Sequence, residues 1–168
     1  PYQILAVTFT NKAAREMRDR VEALLSEMSG REAAEADMGS MWIQTFHSAC
    51  LRILRMNAER IGFERNFVVY DTQDQKTVMK SIMKEQQIDE KQYKPAYLLS
   101  VISDCKNKEQ SAEQYLNSNG ENPRSKAIYR AYSAYEKVLR KNNAMDFDDL
   151  LLNAVRLLRE NEDVLLRY

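Results

Sequence analysis

The chain has 168 residues, 44% of them apolar, enough for one medium domain or two small ones with a real core. Four glycines and three prolines are too few for an all-β fold built on many tight turns. No apolar run approaches the roughly 20 residues that span a membrane, and no secretory signal is visible, so a cytoplasmic protein without membrane contact is expected.

Net charge is zero, which removes any global basic signature for nucleic acid. The distribution is uneven. Residues 1–70 carry nine basic and nine acidic groups, residues 71–145 thirteen and ten, and residues 146–168 three and six. A surplus of three positive charges in the middle is a weak signal, so any DNA contact must rest on local geometry. Cys50 and Cys105 each fall on the apolar face of a predicted helix and read as buried free thiols in a reducing compartment. Two distant cysteines and one histidine do not make a metal site.

The chain opens Pro-Tyr-Gln, without an initiator Met, and runs at once into a β-like segment, which suggests an excised piece of a longer protein. Residues 4–9, Ile-Leu-Ala-Val-Thr-Phe, read as a buried strand. After Thr10-Asn11, the residues Ala13, Ala14, Met17, Val21, Leu24 and Leu25 repeat at helical spacing, predicting a helix to about Met28. Residues 29–40 read as a polar, mobile loop. Met41 to Thr45 is the second strand. Phe46, Ala49, Cys50, Ile53, Leu54 and Ile61 mark a helix ending near Gly62. Strand plus helix, twice over, signals a parallel α/β layer. Phe67 to Tyr70 is a third, short strand.

From Asp71 onward the pattern is nearly all helix. Thr72 with Gln75 suggests a capping box ahead of Val78, Met79, Ile82 and Met83. Pro95 opens a helix carrying Leu98, Val101, Ile102 and Cys105. Ser111 with Gln114 starts a short helix that ends near Gly120. Pro123 opens a long one with Ile128, Ala131, Tyr132, Tyr135, Val138 and Leu139 inward. Asp146 with Asp149 caps the next, and Asn161 caps a last short helix. The expected fold is mainly α with a small parallel β layer. Residues 1–70 form a partial α/β domain, residues 71–145 a helical subdomain, and residues 146–168 helices returning to the first part.

Several chemistries are missing. A phosphate-binding loop needs clustered glycines followed by Lys and Ser or Thr, and none of Gly30, Gly39, Gly62 and Gly120 precedes a lysine. Asp89-Glu90 sits in a polar stretch and reads as a solvated turn. Asp146, Asp148 and Asp149 read as helix capping rather than metal ligands. No catalytic residue is assigned.

The most informative stretch is Val7-Thr8-Phe9-Thr10-Asn11-Lys12-Ala13-Ala14. It places Thr8, Phe9, Thr10 and Asn11 at the carboxyl end of a parallel strand, where ligands bind, and just before a helix N-terminus with free N–H groups. Two readings fit. Phe9 offers its face to a base while Thr and Asn supply neutral donors, or Phe9 is core and Thr10 and Asn11 simply cap the helix.

This wording resembles motif Ia of the UvrD/Rep/PcrA family of superfamily 1 helicases. Trp42-Ile43-Gln44-Thr45-Phe46-His47-Ser48 resembles motif Ib, and Asp146-Phe147-Asp148-Asp149-Leu150-Leu151 resembles the helix preceding that family's magnesium-binding motif. The likeness covers essentially the whole chain, and residues 63–71 with the helices after them look most like the PcrA branch. It implies an incomplete RecA-like domain, 1A, with an inserted helical subdomain, 1B. The activity it implies is the single-stranded-DNA-tracking part of an ATP-dependent 3′–5′ DNA helicase acting in repair or replication. ATP and Mg²⁺ belong to the parent, where ATP would close two RecA-like domains, and neither is expected on this fragment. DNA with a single-strand/double-strand junction is the implied partner, and the fragment itself is expected to be monomeric. Carried over residue by residue, Thr8, Phe9, Thr10 and Asn11 would touch single-stranded DNA, and Thr45, Phe46 and His47 would line the same track. His47 reads equally as a helix-start hydrogen-bonding residue. Lys106 and Lys108 are candidate phosphate contacts on 1B, with solvated surface as the plainer reading. Tyr129, Tyr132 and Tyr135 are read as structural. A helical protein-interaction module and a related helicase–nuclease subunit are the alternative functions.

Overall fold

The computed structural model describes residues 4–30, 38 and 41–168. It is mainly helical, with two small parallel two-stranded sheets. The loop expected over residues 29–40 lies for the most part outside the described residues. The chain divides into two compact units, Pro1–Ile53 and Leu54–Tyr168.

The first unit runs β1 (Leu5–Thr8), α1 (Asn11–Ser29), β2 (Trp42–Thr45) and the opening turns of α2 (Phe46–Asn57). β1 and β2 pair in parallel, Leu5 opposite Trp42 and Thr8 opposite Thr45. Parallel neighbours need a long crossover, and α1 supplies it, packing on both strands. Arg18 on α1 donates to the carbonyl of Ile43 at 3.4 Å, and the Arg52 guanidinium lies 4.2 Å from the centre of the Trp42 ring. Ile43, Ala49 and Ile53 are buried, whereas Ile4, Leu5, Leu24 and Met28 are exposed. A two-stranded layer has too little surface to cover all of its apolar side chains.

The second unit takes the last turn of α2, a 3₁₀ turn (Ala58–Ile61), β3 (Val68–Val69), α3 (Thr72–Glu85), α4 (Pro95–Asn107), α5 (Ala112–Asn119), α6 (Pro123–Lys141), β4 (Ala144–Met145), α7 (Phe147–Glu160) and α8 (Glu162–Arg167). α6 is the hub and touches α3, α4 and α5. Met79, Ile82, Met83, Leu98, Ile102, Ile128, Tyr135 and Leu139 meet there, all buried. Burying each such side chain stabilises by roughly 1.5–3 kcal/mol before chain entropy is counted. The predicted apolar stripes of these helices are the faces that pack.

Local chemistry sets most boundaries. The α-helix beginning at Phe46 stops at Asn57 and tightens into the 3₁₀ turn, and Gly62 closes it in the left-handed region at φ 74°. A side chain there meets a second obstacle, because a Cβ on Gly62 would sit 2.7 Å from the Arg140 Nη2. α5, α6 and α7 start with capping boxes from Ser111/Gln114, Asn122/Ser125 and Asp146/Asp149. Pro95 and Pro123 occupy the first turns of α4 and α6, where the missing N–H costs nothing.

Three expectations need correction. The box opening α3 is Asp71/Asp74 rather than Thr72/Gln75: the Asp71 carboxylate accepts the N–H groups of Gln73 and Asp74 at 2.7 and 2.8 Å, and Thr72 is already helical. Asn161 stands at the start of α8 but makes no side-chain cap there, its amide donating back to the Leu157 carbonyl at 3.0 Å. Cys50 is only partly buried, although Cys105 is buried as expected; both are free, and burial raises both thiol pKa values. β4 has no signal of its own in the sequence. Ala144-Met145 forms a strand because it pairs in parallel with Val68-Val69, and two residues carry no periodicity of their own.

Candidate nucleic-acid interface

The parallel register brings the two predicted motifs side by side. Thr8 lies opposite Thr45 at the carboxyl ends of β1 and β2, so the next residues, Phe9 and Phe46, emerge together. Their ring centres are 5.2 Å apart with planes tilted by 41°. Phe9 is 90% exposed and Phe46 40% exposed. The core reading of Phe9 therefore fails: strand β1 ends at Thr8, and the chain turns outward before α1 begins.

Polar side chains fix this edge. The Thr8 hydroxyl donates to the Thr10 carbonyl at 3.1 Å. Thr10 is the N-cap of α1, its hydroxyl accepting the Ala13 N–H at 3.2 Å, so the capping half of the alternative reading holds. Asn11 is the first residue of α1 and is exposed. Across the sheet, Thr45 is buried; its Oγ1 accepts the Ser48 N–H at 3.3 Å and shares a 2.9 Å hydrogen bond with the Ser48 hydroxyl. Thr45 thus anchors the start of α2, and Phe46 projects beyond it. His47 follows, half-buried, in the first turn of α2.

Two helix N-termini flank the aromatic pair. Neither α1 nor α2 carries an acidic residue in its first turn, unlike α3, α5 and α7. The partial positive charge of each N-terminus is left uncompensated at this edge, which suits an anion such as phosphate. Lys12, in the first turn of α1, is also exposed. Stacking faces, neutral polar side chains and helix N-termini free of acidic residues are the components of a sequence-tolerant single-strand grip.

The other candidates stand in the second unit. Lys108 is the exposed C-cap of α4. Lys106 departs from both sequence readings. Its side chain is 1% exposed, and the ammonium lies 2.7 Å from Asp149, 2.9 Å from Asp146 and 2.9 Å from Glu136. An ammonium has three N–H donors, and three carboxylates take them all, which leaves none for a DNA phosphate. Burial alone pulls its pKa down, but Asp149, Asp146 and Glu136 together outweigh this and raise it well above the ordinary lysine value. The 40-residue separation of Lys106 from Asp146 hid this network from the sequence. Tyr132 and Tyr135 are buried, donating to the Gln110 carbonyl and to the Asp146 carboxylate at 3.1 Å each, while Tyr129 packs half-buried on the same core. Asp89 heads an exposed turn and accepts the Lys91 N–H at 2.8 Å. No described helix is long and apolar enough to cross a membrane.

The whole chain, residues 1–168, matches the family described as the UvrD/REP helicase N-terminal domain. It is 40% identical to the ATP-dependent DNA helicase PcrA of Staphylococcus aureus (strain Mu50 / ATCC 700699) over 168 residues, which is 100% of this chain and 22% of that protein. It is 41% identical to the ATP-dependent DNA helicase PcrA of Staphylococcus epidermidis (strain ATCC 12228 / FDA PCI 1200), with the same coverage. The chain therefore spans about a fifth of the length of these curated relatives. Because the match runs from end to end and takes in both strand–helix motifs that meet at the Phe9–Phe46 edge, the chain belongs to the UvrD/REP helicase family.

Proposed function

We propose that this chain is the single-stranded-DNA-tracking part of an ATP-dependent 3′–5′ DNA helicase, with Phe9 and Phe46 as the stacking wall of the track. The observation that carries this is the exposed aromatic pair at the shared carboxyl edge of β1 and β2. Thr10 and Asn11 supply neutral donors beside it, and Thr8, whose hydroxyl donates to the Thr10 carbonyl, lines the same edge. Thr45 holds the turn that presents Phe46, and His47 lines the same edge. Lys108 is a separate phosphate contact on the helical unit. The partner is single-stranded DNA, approached at a single-strand/double-strand junction by the longer protein. The chain itself acts as a monomer in the cytoplasm.

ATP and Mg²⁺ are assigned to that longer protein and not to this chain. The residues present do not fit a nucleotide site, because no glycine here precedes a lysine. In this proposal residues 1–70 serve as the partial 1A domain, 71–145 as 1B and 146–168 as the returning helices.

A titration of fluorescently labelled oligo(dT) against the purified chain tests the proposal. Weak binding that falls as salt rises is expected, with a further loss on Phe9→Ala. Salt-independent binding, or binding indifferent to Phe9, would overturn the grip. Mg²⁺-dependent ATP turnover by the chain alone would overturn the assignment of ATP to the longer protein.

A further inference from the structure

The Lys106 cluster lies outside the proposed DNA grip and does not depend on that reading. Three helices meet at its ammonium. α4 supplies Lys106, α6 supplies Glu136 and Tyr135, and the start of α7 supplies Asp146 and Asp149. The two aspartates serve twice. They cap α7 reciprocally, Asp149 N–H donating to Asp146 Oδ1 at 2.9 Å and Asp146 N–H to Asp149 Oδ2 at 3.0 Å. With their other oxygens they hold the ammonium at 2.9 and 2.7 Å. The Tyr135 hydroxyl also donates to Asp146 Oδ2, at 3.1 Å.

The charges in this cluster do not balance. One cation faces three carboxylates, and the Asp146 and Asp149 side chains are only 4% and 8% exposed. The N-terminus of α7 adds about half a positive charge. If every carboxyl were ionised, the two buried aspartates would outnumber Lys106 by one charge, partly offset by the helix N-terminus, and the half-exposed Glu136 would add a further negative charge at the water edge. Unbalanced buried charge is strongly unfavourable, and retention of a proton relieves it.

We propose that the Lys106 cluster is a proton-linked clasp: it holds the first turn of α7 against α4 and α6 tightly while one carboxyl around Lys106 keeps its proton, and more loosely once that proton has left. Asp149 is the carboxyl that keeps it. Burial pushes its pKa up to about 7, with Lys106 opposing and Asp146 and Glu136 adding to the rise. The remaining charges nearby are largely engaged elsewhere. In the cleft that Asp149 lines, Arg159 pairs with Glu109 and Arg156 with Glu160. Arg140 donates to the Ile61 carbonyl, and Lys137 is the other cation lining that cleft. In the 3₁₀ turn packed on α7, Arg60 pairs with Asp163 of α8 and Glu59 with Arg65. Asp148 completes the acids of the first turn.

The sign follows from the proton count. When the clasp opens, Asp149 returns to its ordinary value of 3.8, while the closed form titrates at about 7. Between these values opening releases a proton, so opening becomes easier by up to about tenfold per pH unit. Above about 7 both forms are ionised and the dependence levels off.

Amide hydrogen exchange on the 168-residue chain, corrected for intrinsic rates, reads the clasp directly. Protection of Asp149–Leu151 should fall about tenfold or more between pH 5 and 7 and hold steady from 7.5 to 8.5. Amides of Met79–Met83 in α3 should not follow. Asp149→Asn should flatten the response. The same slope in that variant, or a parallel loss in α3, overturns the clasp. Carbon-13 titration of the side-chain carboxyls in the unsubstituted chain needs no variant. The Asp149 carboxyl should titrate near neutral pH, and an ordinary carboxylate midpoint there would also overturn it.

Discussion

The two units treat the same kinds of residue in opposite ways. In Pro1–Ile53 the phenylalanines at the strand ends face outward, Phe9 at 90% exposure, and Thr10 and Asn11 stand exposed beside Phe9. In Leu54–Tyr168, Phe67 and Tyr135 are fully buried, and even a lysine is taken inside and matched with carboxylates. The difference lies in the layers. Two short parallel strands with one crossover helix leave Phe9 and Phe46 exposed at their edge, so these side chains are available to a ligand. Helices packed around α6 bury polar groups that mostly find partners, as Lys106, Tyr132 and Tyr135 do, while the Ser133 hydroxyl on α6 is buried without one. Binding and stability are therefore expected to separate cleanly between the units.

Substitutions test that separation. Phe67→Ala removes a fully buried ring that also carries the Arg55 guanidinium 3.9 Å from its centre. A loss of about 3–5 kcal/mol in urea denaturation is expected, and a loss under about 1 kcal/mol would break the picture of a closed helical core. Lys106→Met leaves buried carboxylates facing one another and should cost about 3–5 kcal/mol. The loss should be smaller at pH 5 than at pH 8, because the carboxyls can take up protons in acid. In the unsubstituted chain, the raised carboxyl of Asp149 makes stability fall as pH rises from 3.8 to about 7. The raised Lys106 ammonium contributes fully below 10.5, and that contribution is lost as pH climbs through its higher folded value.

Phe9→Ala is the converse experiment. Single-strand affinity should drop by about 1–3 kcal/mol, while the denaturation midpoint should move by less than about 0.5 kcal/mol of stability. A large stability loss would place Phe9 in a core that the geometry does not show. Thr10→Ala should have the smallest effect, about 1 kcal/mol of stability through the lost cap on α1. If Thr10→Ala weakens DNA binding more than it weakens folding, the hydroxyl is a direct contact rather than a cap.

Much of this was legible from residue order. The helical stripes of α3, α4 and α6 are written at 3.6-residue spacing, and Pro95, Pro123, Ser111 and Asp146 mark helix starts by chemistry that acts within a few residues. The Asp71 box was misplaced by one position because Thr72/Gln75 offers a near-identical local signal, and only the backbone torsions at Asp71 distinguish them. The motif wording around Phe9 and Phe46 identified the family, yet local chemistry left Phe9 open between core and ligand.

Tertiary structure decided what depends on contacts across long sequence distances. The parallel register of β1 and β2 brings Phe9 and Phe46 to 5.2 Å, and neither segment alone fixes which way its ring faces. β4 exists only because Ala144-Met145 meets Val68-Val69. Lys106 looked like surface because lysine usually is; three carboxylates from α6 and α7 overturn that by supplying the partners a buried ammonium requires. Sequence sets periodicity and caps because those act over one helical turn. Burial and ion pairing are set by which turns finally meet.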